Sequence, residues 1–192
     1  MTDMFSYYKS LVVGSDLEVP VSGGKMLKYV NFDNAASTPA FRSTMEAVNK
    51  FMSLYSNVHR GSGFKSLIST EAYEKSREII AEFLGTNLLT NNVIFVKNST
   101  EAINRVANLF DFSKDDIVIT SAMEHHSNDL PWRKNAQVQY IRVDNDGVLD
   151  IEHFNELINL YKGNIKLIAV TGASNVTGHI NPIHFMAKEA HK

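Results

Sequence analysis

The stretch that decides the fold reads Val93-Ile94-Phe95-Val96-Lys97-Asn98-Ser99-Thr100-Glu101-Ala102-Ile103-Asn104. Its β-branched, apolar first half predicts a strand over 93–97. The run breaks off at Asn98, and Ile103, Val106, Ala107 and Phe110 then recur at helical spacing, which predicts a helix over 100–110. The product is strand, tight turn, helix, with hydroxyls and unpaired backbone N–H groups gathered where the helix begins. A helix start carries roughly half a positive charge and free donors, so it suits a phosphate. A second reading fits the same residues: Asn98 caps the helix, and Glu101 three residues on makes a capping-box variant. No G-x-x-x-x-G-K-[ST] loop occurs in the chain.

Downstream the pattern repeats. Strands are expected at 117–120, 138–143 and 166–171, and helices at 151–162 and 183–191. Strands alternating with helices imply right-handed crossovers, a mainly parallel sheet and helices on both faces, an α/β architecture. Ligands of such sheets sit beyond the carboxyl ends of the strands. The polar clusters fall there: Asn98-Ser99-Thr100, Glu124-His125-His126-Ser127-Asn128, and Ser174-Asn175-Val176-Thr177-Gly178. Phosphate donors, an imidazole and an amide on three strand-end loops point to one shared site.

Upstream, residues 1–28 read as an N-terminal arm or short helix with a break at Gly23-Gly24. Residues 29–32 form a short extended piece, and Asp33-Asn34-Ala35-Ala36-Ser37 is a loop of small residues. Thr38 is expected to cap a helix with Pro39 at its first position. The apolar face of that helix, Phe41, Met45, Val48, Met52 and Tyr55, reads as core packing. A polar turn holding His59-Arg60-Gly61 follows, then a helix over 66–84 ended by Gly85. The expected segments are 1–28, 29–85 and 86–192.

Composition narrows the class. The chain has 192 residues, 44% of them hydrophobic, and a net charge of −2, enough for a core and without a broad basic face for nucleic acid or membrane. It has no cysteine, which excludes disulfides, thiolate metal sites and a thiol nucleophile within these residues. No apolar run approaches the length of a spanning helix, and the N-terminus lacks a signal-peptide layout. A soluble, cytoplasmic protein is expected, with neither nucleic acid nor membrane as partner.

Five motifs in order carry a resemblance: Asp33-Asn34-Ala35-Ala36-Ser37; Asn57-Val58-His59-Arg60-Gly61; Ser99-Thr100-Glu101-Ala102-Ile103-Asn104; Met123-Glu124-His125-His126-Ser127-Asn128 with Pro131-Trp132; and Ser174-Asn175-Val176-Thr177-Gly178 with Ile180-Asn181-Pro182. Together they resemble the class V branch of pyridoxal-phosphate (PLP) enzymes, most closely the cysteine desulfurase and selenocysteine lyase group. The resemblance implies part of the large domain of the type I PLP-transferase fold. It implies pyridoxal 5′-phosphate as cofactor and an amino acid substrate processed through an external aldimine. Cysteine desulfurase-like carbon–sulfur cleavage and sulfur transfer fit best, with a homodimer and a sulfur-acceptor protein as partners.

By the same resemblance, Ser99 and Thr100 cradle the cofactor phosphate. His125 is the catalytic imidazole stacked on the pyridine ring, and Asn175 bonds the cofactor's phenolic oxygen near the substrate carboxylate. Ala35, Ala36, His59 and Arg60 resemble segments at the active-site entrance near a dimer partner. Arg60 reads equally as an ordinary partner of a carboxylate. His126 reads as a hydrogen-bonded structural residue, and His153, His179, His184 and His191 as surface or helix-face residues. A metal site at Glu124-His125-His126 is disfavoured, because histidine pairs for zinc sit at spaced helical positions.

Two family motifs are not matched: the Asp facing the pyridine nitrogen followed by Ala-Gln, and the Ser-x-His-Lys carrying the Schiff-base lysine. His191-Lys192 stands at the end of a helix instead, so Lys192 takes no catalytic role. The resemblance thus implies the amino-terminal portion of a longer enzyme, cut before its lysine-bearing half and inactive alone. Ser99 and Asn98 replace the commoner Thr and Gly. A class V aminotransferase or epimerase-like enzyme, a non-catalytic chain without the lysine, and a histidine-based metal hydrolase are the competing readings.

Overall fold

In a computed structural model that describes residues 4–192, the chain divides into two units, Met1–Ile94 and Phe95–Lys192. In the first unit, α1 (Met4–Ser10) is followed by an antiparallel hairpin of β1 (Glu18–Pro20) and β2 (Met26–Lys28). Gly23 and Gly24 form its turn at φ +89° and +74°, where a side chain would be strained. Two helices complete the unit, α2 (Arg42–Met52) and α3 (Phe64–Phe83). As expected, α3 ends at Gly85. Its φ is +67°, its N–H bonds Glu82 O at 3.0 Å, and Thr86 N–H reaches back to Ala81 O at 2.9 Å.

Helix α2 departs from expectation twice. It starts at Arg42, not Pro39, and Thr38 does not cap it. The Thr38 hydroxyl instead donates to Asn34 O at 3.2 Å, while Val13 N–H bonds Ala40 O and Arg42 N–H bonds Leu11 O. Pairing with residues 11–13 holds 40–41 extended, and the helix begins only beyond that bridge. Its stripe is also not core: Phe41, Met45, Val48, Met52 and Tyr55 are all exposed, and the buried residues of the two helices are Ser66, Ser69 and Ala81. Helical periodicity identifies an apolar face, but a second layer must cover it, and among the described residues the stripe stays exposed.

The second unit holds the sheet. Its elements are α4 (Ser99–Leu109), β3 (Ile117–Ser121), a short 3-10 turn at His126–Asn128, α5 (Leu130–Asn135), β4 (Gln137–Ile141), α6 (Ile151–Leu160), β5 (Ile165–Ala169) and α7 (Ile183–Ala190). The strands are parallel in the order β4-β3-β5. All of β3 is buried, as a central parallel strand should be. Ile117 and Ile119 pack with Ile141, Phe154, Leu157 and Met186, under α6 and α7. Val118 points to the opposite face, where Ala107 of α4 and Trp132 of α5 meet it. Helices therefore cover both faces, as the alternation implied. Phe154 is fully buried, and its truncation to Ala would cost about 4 kcal/mol.

The expected strand at 93–97 is not formed among the described residues. Its composition suits a pleated, half-buried surface, but a strand also needs a neighbouring backbone to bond. The ladder assembled here contains only β4, β3 and β5. The outer edge of β5, half-buried on both faces, likewise carries no further strand among the described residues.

Candidate functional site

Helix α4 begins as its sequence dictates. Asn98 stands extended at the cap, and its side-chain oxygen accepts the Glu101 N–H at 2.9 Å. The Glu101 carboxylate accepts the Lys97 N–H at 2.8 Å and the Arg105 Nε–H at 2.9 Å. That backbone donor first, and the guanidinium second, hold Glu101 below the usual carboxylate range. The cap and the phosphate cradle are compatible, because the cap uses the third N–H of the helix and leaves the first two. The N–H groups and hydroxyls of Ser99 and Thr100 have no hydrogen-bond partner among the described residues. Four donors at one helix start suit an anion.

Because the sheet is parallel, the loops after β3 and β5 leave it at the same end. Glu124 ties them together. Its Oε1 accepts the Ser121 hydroxyl at 2.6 Å and the Thr171 N–H at 2.8 Å, and its Oε2 accepts the Asn128 Nδ2–H at 2.8 Å. The Asn181 side-chain amide adds a second tie, donating to Thr171 O at 2.9 Å and to Met123 Sδ at 3.2 Å. The 3-10 turn after His125 packs against α4. Asn135 at the end of α5 donates to Ala107 O at 2.9 Å, which fastens α5 to α4.

His125 is exposed, and its Nδ1 accepts the Ser127 N–H at 3.1 Å. Asn175 is exposed, and its side-chain amide has no partner among the described residues. Its turn is built by Ser174, whose buried hydroxyl oxygen accepts the N–H groups of Val176 at 3.3 Å and Thr177 at 3.2 Å. Gly178 closes that turn at φ +74°. His126 does not fill the structural role expected of it. It is exposed, its side chain makes no hydrogen bond among the described residues, and its ring lies 6.4 Å from that of His125 between centroids. His153 does act structurally, accepting the Arg142 N–H at 3.1 Å. Among the described residues no three His, Asp or Glu side chains gather as a metal-ligand set.

The remaining expected site residues lie in the first unit. Ala35 and Ala36 sit in a loop of nested side-chain turns, with Asp33 Oδ1 accepting the Ala36 N–H at 3.2 Å. His59 has φ +58°, an uncommon conformation for a residue with a Cβ. Its N–H donates to Thr70 Oγ1 at 3.0 Å and its Nε2 lies 2.8 Å from Glu74 Oε1. The Arg60 guanidinium pairs with no carboxylate among the described residues.

A charge cluster around one buried carboxylate was not foreseen. Asp129 is buried beside Arg133 and accepts the Tyr140 hydroxyl at 2.7 Å. Burial pushes Asp129 up, but the Arg133 and Tyr140 hydrogen bonds and the Arg133 charge outweigh it, holding the carboxyl below its ordinary value. The signal available in the sequence was the i, i+4 spacing of Asp129 and Arg133 flanking Trp132.

The family model for aminotransferase class-V matches residues 30–192. The chain belongs to the aminotransferase class-V family. Within it, the chain is similar to cysteine desulfurase from Haloferax volcanii, 36% identical over 190 residues, covering 94% of this chain and 44% of the relative. A probable cysteine desulfurase from Synechocystis is 34% identical over 175 residues, covering 85% of this chain and 40% of the relative. Among solved structures, the apo cysteine desulfurase of Thermococcus onnurineus matches with a TM-score of 0.74 at 32% identity, over 83% of this chain and 40% of that one. The chain thus spans less than half the length of these class-V relatives.

Proposed function

We propose that this chain forms the phosphate- and ring-binding part of a PLP-dependent enzyme with cysteine desulfurase chemistry. One observation carries the reading: four unpartnered donors of Ser99 and Thr100 at the start of α4, on a parallel sheet whose neighbouring loops present an exposed imidazole and an exposed amide. Bound pyridoxal phosphate supplies an electron sink for negative charge developing at the substrate Cα. The residues present fit that group. Ser99 and Thr100 would bind the phosphate through N–H and hydroxyl donors, aided by the helix dipole. His125 would lie on the ring face and hold or move a proton at Nε2, since Nδ1 is committed to Ser127. Asn175 would donate its amide to the ring's phenolic oxygen and fix the ring's rotation.

No residue of this chain matches the covalent lysine of the resemblance, so its own contribution is reversible binding. The exposed stripe on α2 and the open, apolar edge of β5 support assembly with further polypeptide and a homodimer. Equilibrium dialysis of the chain against pyridoxal 5′-phosphate and against phosphate-free pyridoxal tests the reading. Binding that requires the phosphate supports it, and equal affinity for the two overturns it. A cysteine assay of the chain alone should release no sulfide. Turnover at an ordinary enzyme rate, about 1 s⁻¹ or faster, contradicts the assignment of the lysine.

A further inference from the structure

We propose that Glu124 is a positioning residue, whose carboxylate sets the spacing between the loop carrying His125 and the loop carrying Asn175. The proposal rests on the pocket described under Proposed function, while the clamp itself is a property of this chain. Both carboxylate oxygens are used, and the three donors come from three places: Ser121 at the end of β3, Asn128 in the turn after His125, and Thr171 just beyond β5. Asn128 in turn accepts the Trp132 indole N–H at 2.9 Å through its backbone oxygen, which roots the turn in the core.

Thr171 is the critical partner. The β3–β5 ladder ends at Ala169, and the backbone beyond it pairs locally, through an isolated antiparallel bridge between Ala173 and Ile180. Glu124 holds the Thr171 N–H and Asn181 holds its carbonyl. The Thr171 hydroxyl then donates to Ala173 O at 2.8 Å, immediately before the Ser174 turn that presents Asn175. The start of the second loop is therefore fixed by a hydrogen bond to the residue next to His125. Three hydrogen bonds converging on one side chain make it a stiff spacer. A flat ring gripped on its face by one loop and at its edge by another tolerates only about 0.5 Å of error in their separation.

The phosphate end of the ligand depends on α4 and not on this clamp. Replacing Glu124 should therefore weaken the ring contacts and leave the anion site intact. In Glu124→Ala, the dissociation constant for pyridoxal 5′-phosphate should rise about tenfold, while that for inorganic phosphate stays within about twofold. Exchange of the Thr171 amide should accelerate about tenfold as its acceptor is lost. Glu124→Gln retains an acceptor for Thr171 and, with the Asn128 amide turned over, a partner for it. It should restore both readouts to within about threefold. Glu124→Asp keeps the charge but is too short to span all three donors, so it should behave like Ala; it carries the test if Ala does not fold, as judged by the near-ultraviolet circular dichroism of Trp132.

A folded Ala or Asp variant with wild-type Thr171 exchange overturns the proposal, and so does equal weakening of phosphate and pyridoxal phosphate. If the wild-type chain binds neither ligand, the pocket reading fails, and Thr171 exchange still decides the clamp.

Discussion

The backbone N–H of Ser127 donates to Nδ1 of His125 at 3.1 Å. A backbone N–H only donates, so this contact favours Nδ1 as acceptor and, in the neutral ring, a proton on Nε2. The tautomer of a proposed catalytic imidazole is therefore coupled to Ser127, whose hydroxyl oxygen also lies 2.8 Å from Nδ1. Nitrogen-15 spectra recorded with the ring neutral should show the Nε2–H form in excess. Ser127→Ala, which keeps the backbone donor, should preserve it. A dominant Nδ1–H form would contradict the assignment.

The start of α4 separates stability from binding. Asn98→Ala removes the acceptor for Glu101 N–H and should cost about 1 kcal/mol in denaturant unfolding. Thr100→Val removes a hydroxyl that has no partner among the described residues, so it should leave stability within about 0.5 kcal/mol. The same change should weaken phosphate binding by about tenfold, as loss of one good hydrogen bond to a charged group does. Calorimetric titration with inorganic phosphate reads the difference, and unchanged affinity in Thr100→Val would remove that hydroxyl from the cradle.

Asp129 predicts an acid-side loss of stability. Its carboxyl is held below the ordinary value, so the stabilisation is fully present above the unfolded pKa, about 4. It declines as pH falls through the lower, folded value. Asp129→Asn should cost about 2 kcal/mol at neutral pH, where a buried charged hydrogen bond is lost. The gap between wild type and variant should stay level from pH 7 to about 5 and narrow below about 4. A gap that widens on acidification would contradict a lowered Asp129 carboxyl.

Gly147 is confined twice. Its φ is +80°, and a Cβ placed on it would lie 2.7 Å from Thr177 Cγ2, in the turn that carries Asn175. Gly147→Ala should therefore destabilise the chain by about 2 kcal/mol, combining an unfavourable backbone with overpacking. Thr177→Ser removes the clashing methyl and should recover part of the loss when combined with it. A fully neutral Gly147→Ala in thermal unfolding would contradict the close approach.

What could be read from the chain alone follows the range of the forces involved. The parallel strands, the helices behind them and the Asn98 cap are local or periodic signals, and the three strands, α4, α6 and α7 formed within a residue or two of expectation. The misses depend on distant partners. Residues 93–97 have strand composition but no ladder, and Thr38 was diverted into a loop while Phe41 paired with Val12. The α2 stripe was legible as apolar, but what covers it is not written in its period. Helix α5 is too short for periodicity to register. At the site, donors at a helix start follow from residue order. The role of Glu124 does not, because its bond to Thr171 crosses from one strand end to another.

The central claim is that Ser99 and Thr100, His125 and Asn175 grip one ligand. Titrating the isotope-labelled chain with pyridoxal 5′-phosphate and following the backbone amides of these residues tests it most directly. The account predicts that all four amide signals move with a single dissociation constant, while inorganic phosphate moves only Ser99 and Thr100. Movement of Ser99 and Thr100 alone with pyridoxal phosphate, or different constants for the three loops, would contradict it.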